Sequence, residues 1–461
     1  MQSCRDLPLR KQGEGVLLQS SQYIPESVCL ILNRLKAAGH EACLVGGCVR
    51  DLYCGIMPQD YDIVTSARPE EVSSLFSHTI PVGINFGVLI VIEGGQRYEV
   101  ATFRTEDSYA DGRRPTQVAF ATAEEDVKRR DFTINGLLFD PEAGRLIDYV
   151  GGCRDIENRI VRTIGDPERR FAEDHLRMLR AVRFAANLGY DIDGDVLKAI
   201  RGHVEDIQRI SAERKRDELC KLLTRGGARR GMELLAETAL LGEIMPEVAA
   251  LQGIEQPETF HPEGDVWEHT LMMLSLLPVE GGTDSRLAWS VIMHDLGKAV
   301  TRTVDERGVH FYGHVQRGEE IARQIMERLR FSGADIETIL ALIRCHMLFM
   351  NVKEMRPSRL KRFLRMPDFA LHLQLHRLDC LGSHGMLDNY EFCRAQLSEM
   401  PEEELRPPRL ITGYDLMEMG FTPGPVFARI LQEVEDAQLN GTVSSAEDAR
   451  QMVLSYWAPA G

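Results

Sequence analysis

The chain of 461 residues contains no uninterrupted apolar run of about 18 residues, so no segment is expected to span a bilayer as a helix. It has no Cys-x-x-Cys pair. Its ten cysteines are scattered from Cys4 to Cys393, which excludes a thiolate zinc site and reads as a set of reduced, small apolar side chains. Internal repeats and low-complexity tracts are absent. There is no excess of positive charge either: 54 basic residues against 70 acidic ones leave a net charge of -16, which repels a polyanion at long range and excludes a non-specific nucleic-acid coat. Any contact with nucleic acid must use a local basic surface. Met1 to Gly15 is charged and lacks an apolar core, so a signal peptide is not expected and the cytoplasm is the expected compartment.

What is present is the composition of an ordinary soluble protein, 44% hydrophobic and 27% charged, at a length that predicts about three domains. Strand-like segments at Cys43–Val45, Tyr61–Thr65, Gly87–Ile92, Tyr98–Phe103 and Val118–Phe120 predict a mixed sheet in the first 140 residues. Beyond Asp140 the pattern becomes helical, with Leu176, Leu179, Arg180 and Arg183 recurring at three- and four-residue spacing. Segments containing Pro and Gly near Pro246–Pro262, and Pro401–Pro408, punctuate the helical part. The expected divisions are residues 1–140, 141–250, 251–400 and 401–461.

Cys43–Asp51 reads as a short apolar strand, the pair Gly46-Gly47 and a helix start. Such a turn lets backbone N–H groups approach a phosphate, although a plain strand–turn–helix joint has the same pattern. Asp60 and Asp62 follow. Alternate residues of a strand project to one side, so both carboxylates are expected to face one point, where their repulsion calls for a shared proton or a cation. An all-oxygen pair suits Mg²⁺ bound against phosphate oxygens, and Glu99 in a later strand-like segment would add a third carboxylate. A solvated loop is the alternative for Asp-x-Asp alone.

G-G-x-V-R-D followed by D-Y-D resembles the first motif of the polymerase-beta-like nucleotidyltransferases, and in detail that of the class II CCA-adding enzymes and bacterial poly(A) polymerases. Further blocks resemble the same family in order: Arg129–Asn135, Gly151–Arg162, Glu173–Arg177 and Arg209–Arg214. The resemblance implies an α+β head with a mixed sheet, then an all-α neck and body, an α-helical HD domain and a helical tail. It implies nucleotide contacts from Gly46, Gly47, Arg50, Arg130, Asp174, Arg177, Arg180 and Arg183, with Asp131 and Asn135 near the ribose. It also implies catalytic Asp60, Asp62 and Glu99, Mg²⁺ on the two aspartates, and tRNA, CTP and ATP as partners.

Base selection without a nucleic-acid template requires side chains that match donors and acceptors on the base edge. A carboxylate at Asp174 and a guanidinium at Arg177, expected on one helix face, suit the amino group and ring acceptor shared by cytosine and adenine. An ordinary i,i+3 ion pair is the alternative. Arg177, Arg180 and Arg183 form a stripe that suits a triphosphate or, failing that, nearby carboxylates. Val82–Val88 resembles the CCA-adding version of the family, and no G-R-R-F-like stretch of the poly(A) polymerases is found. Glu106–Pro115 resembles the family's flexible loop. Partial CC or A addition and polyadenylation stay open.

Nine of the thirteen histidines lie between His261 and His384. The series His269, His294-Asp295 and Asp379 resembles the HD phosphohydrolase signature, which implies these four as ligands of Mn, Fe, Ni or Zn, with His314 and His346 as extras. A phosphohydrolase acting on RNA ends is therefore the rival activity. His372 and His376 are expected on a surface helix. Lys353–Arg365, with six basic side chains against Glu354 alone, and Arg209–Arg230 are the candidate RNA-gripping surfaces, with solvated helix faces as the alternative. The glycines of the tail from Leu410 to Trp457 suit either a tRNA phosphate contact or helix punctuation.

Overall fold

Ala42–Val45 is apolar and buried at every residue, as a strand covered on both faces must be, and it forms β1 near the middle of a seven-stranded sheet. The computed structural model describes residues 21–83, 87–109, 115–257, 261–262, 264–279, 282–306 and 308–457. These fall into two units, one of Met1–Ala249 with Pro278–Ser285 and Glu327–Phe331, the other of Ala250–Leu277, Arg286–Met326 and Ser332–Gly461.

In the first unit the sheet also holds β2 (Asp62–Thr65), β3 (Thr79–Gly83), β4 (Val88–Glu93) and β5 (Gln96–Thr102). β6 (Arg104–Tyr109) and β7 (Pro115–Phe120) pair as a separate ribbon, and β8 (Leu137–Asp140) and β9 (Arg145–Asp148) complete the sheet in the order β3-β4-β5-β2-β1-β8-β9. β2 runs antiparallel to β1 and parallel to β5. The chain thus returns to the sheet after Asp140, where an all-helical stretch was expected, because the turn at Pro141–Gly144 brings Leu146 and Ile147 back onto β8. Helices Pro167–Glu173, Leu176–Leu188, Ala212–Thr224 and Ala228–Glu237 follow. Residues 84–86 of the Val82–Val88 motif and 110–114 of the Glu106–Pro115 loop lie outside the described residues.

Among the described residues, the regular structure of the second unit is helical apart from a ribbon of Thr303–Asp305 and Gly308–His310. Its tail has its own apolar cluster, which includes Ile411, Leu416, Phe421, Ile430 and Val434. Part of the Lys353–Arg365 basic stretch is committed internally: Arg362 and Arg365 each donate to Glu435 at 2.6 Å, and Lys361 lies 2.9 Å from Glu404. Gly413 and Pro425 open tail helices, which is the punctuation reading of that segment. His372 and His376 are not on a surface. Both are buried, His376 stacks on Phe349 with centroids 4.3 Å apart, and burial lowers both imidazoles to about 4. Apolar residues surround the helix Phe369–Gly382 on most sides, so the i,i+4 pair packs inward. Among the described residues no helix is long and apolar enough to cross a membrane, and nine cysteines are free.

Candidate active site and metal centre

β1 is followed by Gly46, whose φ of 80° lies in the region open to glycine, and the helix Gly47–Tyr53 starts at once. Its first N–H groups have no intrahelical acceptor, and they face a cavity of about 880 Å³ lined by both glycines. Only Asp62 belongs to a strand. Asp60 precedes β2, so the two carboxylates do not meet through the pleat of one strand as expected; the approach to β2 brings both to the same cavity. Register places Asp62 opposite Val45 on one side and Glu99 on the other. Burial, then the neighbouring Glu99 and Asp60 charges, push the Asp62 carboxyl up to about 6 against the pull of Arg130, while one edge of the side chain stays exposed in the cavity. Glu99 is not among the lining residues.

The same cavity is lined by Arg50, Arg130, Asp131, Asn135, Asp174, Arg177, Arg180 and Arg183. Arg50 donates to Asn135 Oδ1 at 2.8 Å, which fixes both side chains, and Arg130 donates to Asp126 Oδ2 at 3.0 Å. Arg180 Nε donates to Asp131 Oδ2 at 2.7 Å; burial opposes ionisation of Asp131, but this guanidinium draws it down to about 2. Arg183 donates to Glu218 at 2.5 Å and Arg177 to Glu173 at 2.7 Å. The arginine stripe is therefore charge-balanced by carboxylates. Asp174 is not on the helix with Arg177. With φ -147° and ψ 104° it forms the break between Pro167–Glu173 and Leu176–Leu188, caps the second helix through Leu176 N–H, and accepts from Arg214 Nη2 at 2.7 Å. The expected single helix face is replaced by a junction that turns both side chains into the cavity.

Sequence reasoning placed Glu173 in its block without a role, and missed Glu218, Asp126 and the hold of Arg214 on Asp174 as parts of the site. Arg214 lies 40 residues from its partner, a separation that no periodicity reports.

In the second unit, helices bring six metal-ligand groups together. His269, His294 and Asp379 offer ligand atoms within 4.8 Å of one another, and so do Asp295, His314 and His346. The Nδ1 atoms of His294, His314 and His346 each face a carbonyl three residues back, at 3.0, 2.9 and 2.6 Å, and His269 Nδ1 lies 3.3 Å from Gly382 O. Each ring is thus oriented with Nε2 toward the carboxylates. His269 Nε2 is 3.2 Å from Asp379, and Asp295 has His294 at 3.2 Å and His314 at 3.8 Å. Gly297 is required here, because a Cβ on it would fall 1.9 Å from His314 O. His294 and Lys298 hold Asp295 ionised well below the usual carboxylate range despite its burial, and burial lowers His346 to about 4. Burial lowers His314 as well, and its buried Nε2 lacks a hydrogen-bond partner among the described residues; imidazoles beside ionised carboxylates form a donor set that fits divalent transition metals.

Comparison with known proteins agrees with this geometry. Residues 42–162 match the family described as the Poly A polymerase head domain, 189–251 the probable RNA and SrmB-binding site of polymerase A, and 266–371 the HD domain. The CCA-adding enzyme of Streptococcus pyogenes serotype M4 is 35% identical over 382 residues, covering 78% of this chain and 92% of that protein. That of serotype M5 is 34% identical over 400 residues, 82% and 96% respectively. The crystal structure of the Bacillus stearothermophilus CCA-adding enzyme in complex with CTP superposes with a TM-score of 0.72 at 29% identity, over 93% of this chain and 97% of that one. A Thermotoga maritima CCA-adding enzyme complexed with tRNA shares the fold, at TM-score 0.59 and 19% identity over 96% and 98%. Fold and cavity thus define a nucleotidyltransferase whose chain also carries an HD domain. The chain belongs to the family of the CCA-adding enzymes. Both of its domain types are metal-dependent, and the second unit carries clustered groups able to hold a cation.

Proposed function

We propose that the chain adds C, C and A to the 3′ end of tRNA from CTP and ATP without a nucleic-acid template, releasing pyrophosphate, in the cytoplasm. The observation that carries this reading is the convergence on one cavity of a glycine-turn helix start, Asp60 and Asp62, and the Asp174–Arg177 junction. Asp60 and Asp62, with Glu99 in register beside Asp62, are the residues to hold Mg²⁺. When bound, the ion supplies charge neutralisation on the triphosphate and eases ionisation of the attacking 3′-hydroxyl. Gly46, Gly47, Arg50, Arg130, Arg180 and Arg183 bind the triphosphate, and Asp131 and Asn135 orient the ribose. Asp174 accepts from the exocyclic amino group of the base while Arg177 donates to its ring acceptor, a pairing that uracil and guanine fail to complete. In this reading the head, expected over 1–140, runs on through β9, with the neck and body to 250, the HD domain over 251–400 and a tail over 401–461 that contacts tRNA.

The test uses tRNA transcripts ending before, within and after CCA, each incubated with single nucleotides. Ordered addition of two C and then one A, ending there, is expected, and Asp62→Ala should lower it by about 10³-fold or more, the scale of several kcal/mol of lost charge stabilisation. Runs of A beyond the third nucleotide, or arrest after CC, would replace this reading with polyadenylation or partial addition.

The six donors of the second unit support a second activity, metal-dependent phosphohydrolysis at RNA ends. Their nitrogen and oxygen atoms suit Mn, Ni, Fe or Zn.

A further inference from the structure

Outside both sites, His175, His203 and Asp206 each offer a ligand atom within 4.8 Å of the others. His175 immediately precedes helix Leu176–Leu188, His203 follows helix Gly194–Gly202, and Asp206 lies in the 3₁₀ turn Val204–Arg209. We propose that these three side chains form a further metal site, taking Zn²⁺ or a similar first-row ion.

Four features of the surroundings support it. His203 Nδ1 stands 2.9 Å from Asp206 Oδ2. Two ligands of a tetrahedral ion with bonds of roughly 2.0–2.1 Å are about 3.3 Å apart, so ring and carboxylate already sit close to one edge of a coordination tetrahedron. The other nitrogen of the ring, His203 Nε2, is 2.8 Å from Glu168 Oε2, which is the carboxylate–histidine pairing that orients a metal-binding imidazole. Arg209 Nε lies 3.3 Å from Oδ1, the second oxygen of Asp206, and braces the carboxylate from behind. Finally, His175 is 5% exposed and its Nδ1 is buried with no hydrogen-bond partner among the described residues, a costly arrangement for a polar atom. Burial also lowers its pKa, which keeps a lone pair available.

The competing reading is a protonated His203 shared by Asp206 and Glu168, and those hydrogen bonds do raise its pKa. It accounts for His203 but leaves the His175 nitrogen unexplained. An ion accounts for the convergence of all three ligand atoms. It would tie the 3₁₀ turn to the junction holding Asp174, immediately before His175, and so act as a positioning element for that junction.

The site is tested on the full chain in a His294→Ala/Asp295→Ala background, which breaks both three-residue clusters of the HD centre. The protein is loaded with Zn²⁺, dialysed against buffer containing Mg²⁺, and its metal content measured by mass spectrometry; a parallel Co²⁺ sample is read by visible absorption. One tightly held ion per chain and the intense bands of tetrahedral Co²⁺ are expected. Adding His203→Ala should remove both. Glu168→Gln, which leaves all three ligands in place, should weaken the ion about 10- to 100-fold without abolishing binding, a graded effect that misfolding would not give. Where circular dichroism shows the alanine variant unfolded, Glu168→Gln decides alone. No ion retained in the background protein, or unchanged affinity in Glu168→Gln, overturns the proposal.

Discussion

In the proposed site a cation and a proton compete for the Asp62 carboxylate. Its pKa rises from 3.8 to about 6 through burial and the adjacent Glu99 and Asp60, against Arg130. The sign follows from linkage: the folded, metal-free chain binds this proton more tightly than the unfolded chain, so the stability it contributes is present below about 4 and is lost as pH rises through about 6. Binding of Mg²⁺ must displace that proton. The Mg²⁺ concentration for half-maximal CTP incorporation is therefore expected to fall about fivefold between pH 5 and 6 and to level off above 7. Asp62→Asn should flatten that dependence in whatever activity remains. An equally steep dependence in the variant would move the titration to another group.

The junction between Pro167–Glu173 and Leu176–Leu188 shows what the sequence exposed and what it hid. Glu173, Asp174 and Arg177 were legible as a block, and Gly46, Asp60 and Asp62 likewise, because close spacing on the chain is itself the signal. The helix break at Asp174 was not, since no Pro or Gly marks it; the Asp174 carboxylate caps the second helix instead. β3, β8 and β9 went unnoticed because short strands resemble any apolar run, and the partners of Arg180 and Arg183, Asp131 and Glu218, lie 49 and 35 residues away. One such partner, Glu218 on Ala212–Thr224, is 4% exposed and accepts from Arg183, itself 6% exposed. Removing one member of a buried pair strands the other charge. Glu218→Ala should therefore cost roughly 3–5 kcal/mol in urea unfolding. A loss below about 1 kcal/mol would mean that Arg183 finds water or Asp131 instead.

The two sets of chemistry-bearing residues occupy different units of the chain, Gly46 to Arg183 in the first and His269 to Asp379 in the second, with no ligand in common. Their donor types differ as well. The first offers carboxylates alone, which suit a hydrated Mg²⁺ on phosphate oxygens; the second offers imidazoles held by backbone carbonyls, which suit softer ions. Substitutions at sites that share no partner act independently, so a double dissociation is expected. His294→Ala should abolish hydrolysis of a phosphomonoester in the presence of Ni²⁺ or Mn²⁺ and leave CTP incorporation into a tRNA lacking CCA unchanged. Asp62→Ala should do the reverse. Both are measured on the full-length chain with folding checked by circular dichroism. If His294→Ala removes incorporation while the fold persists, the HD residues belong to the nucleotide-adding reaction, and the separation of the two chemistries argued from their ligands is wrong.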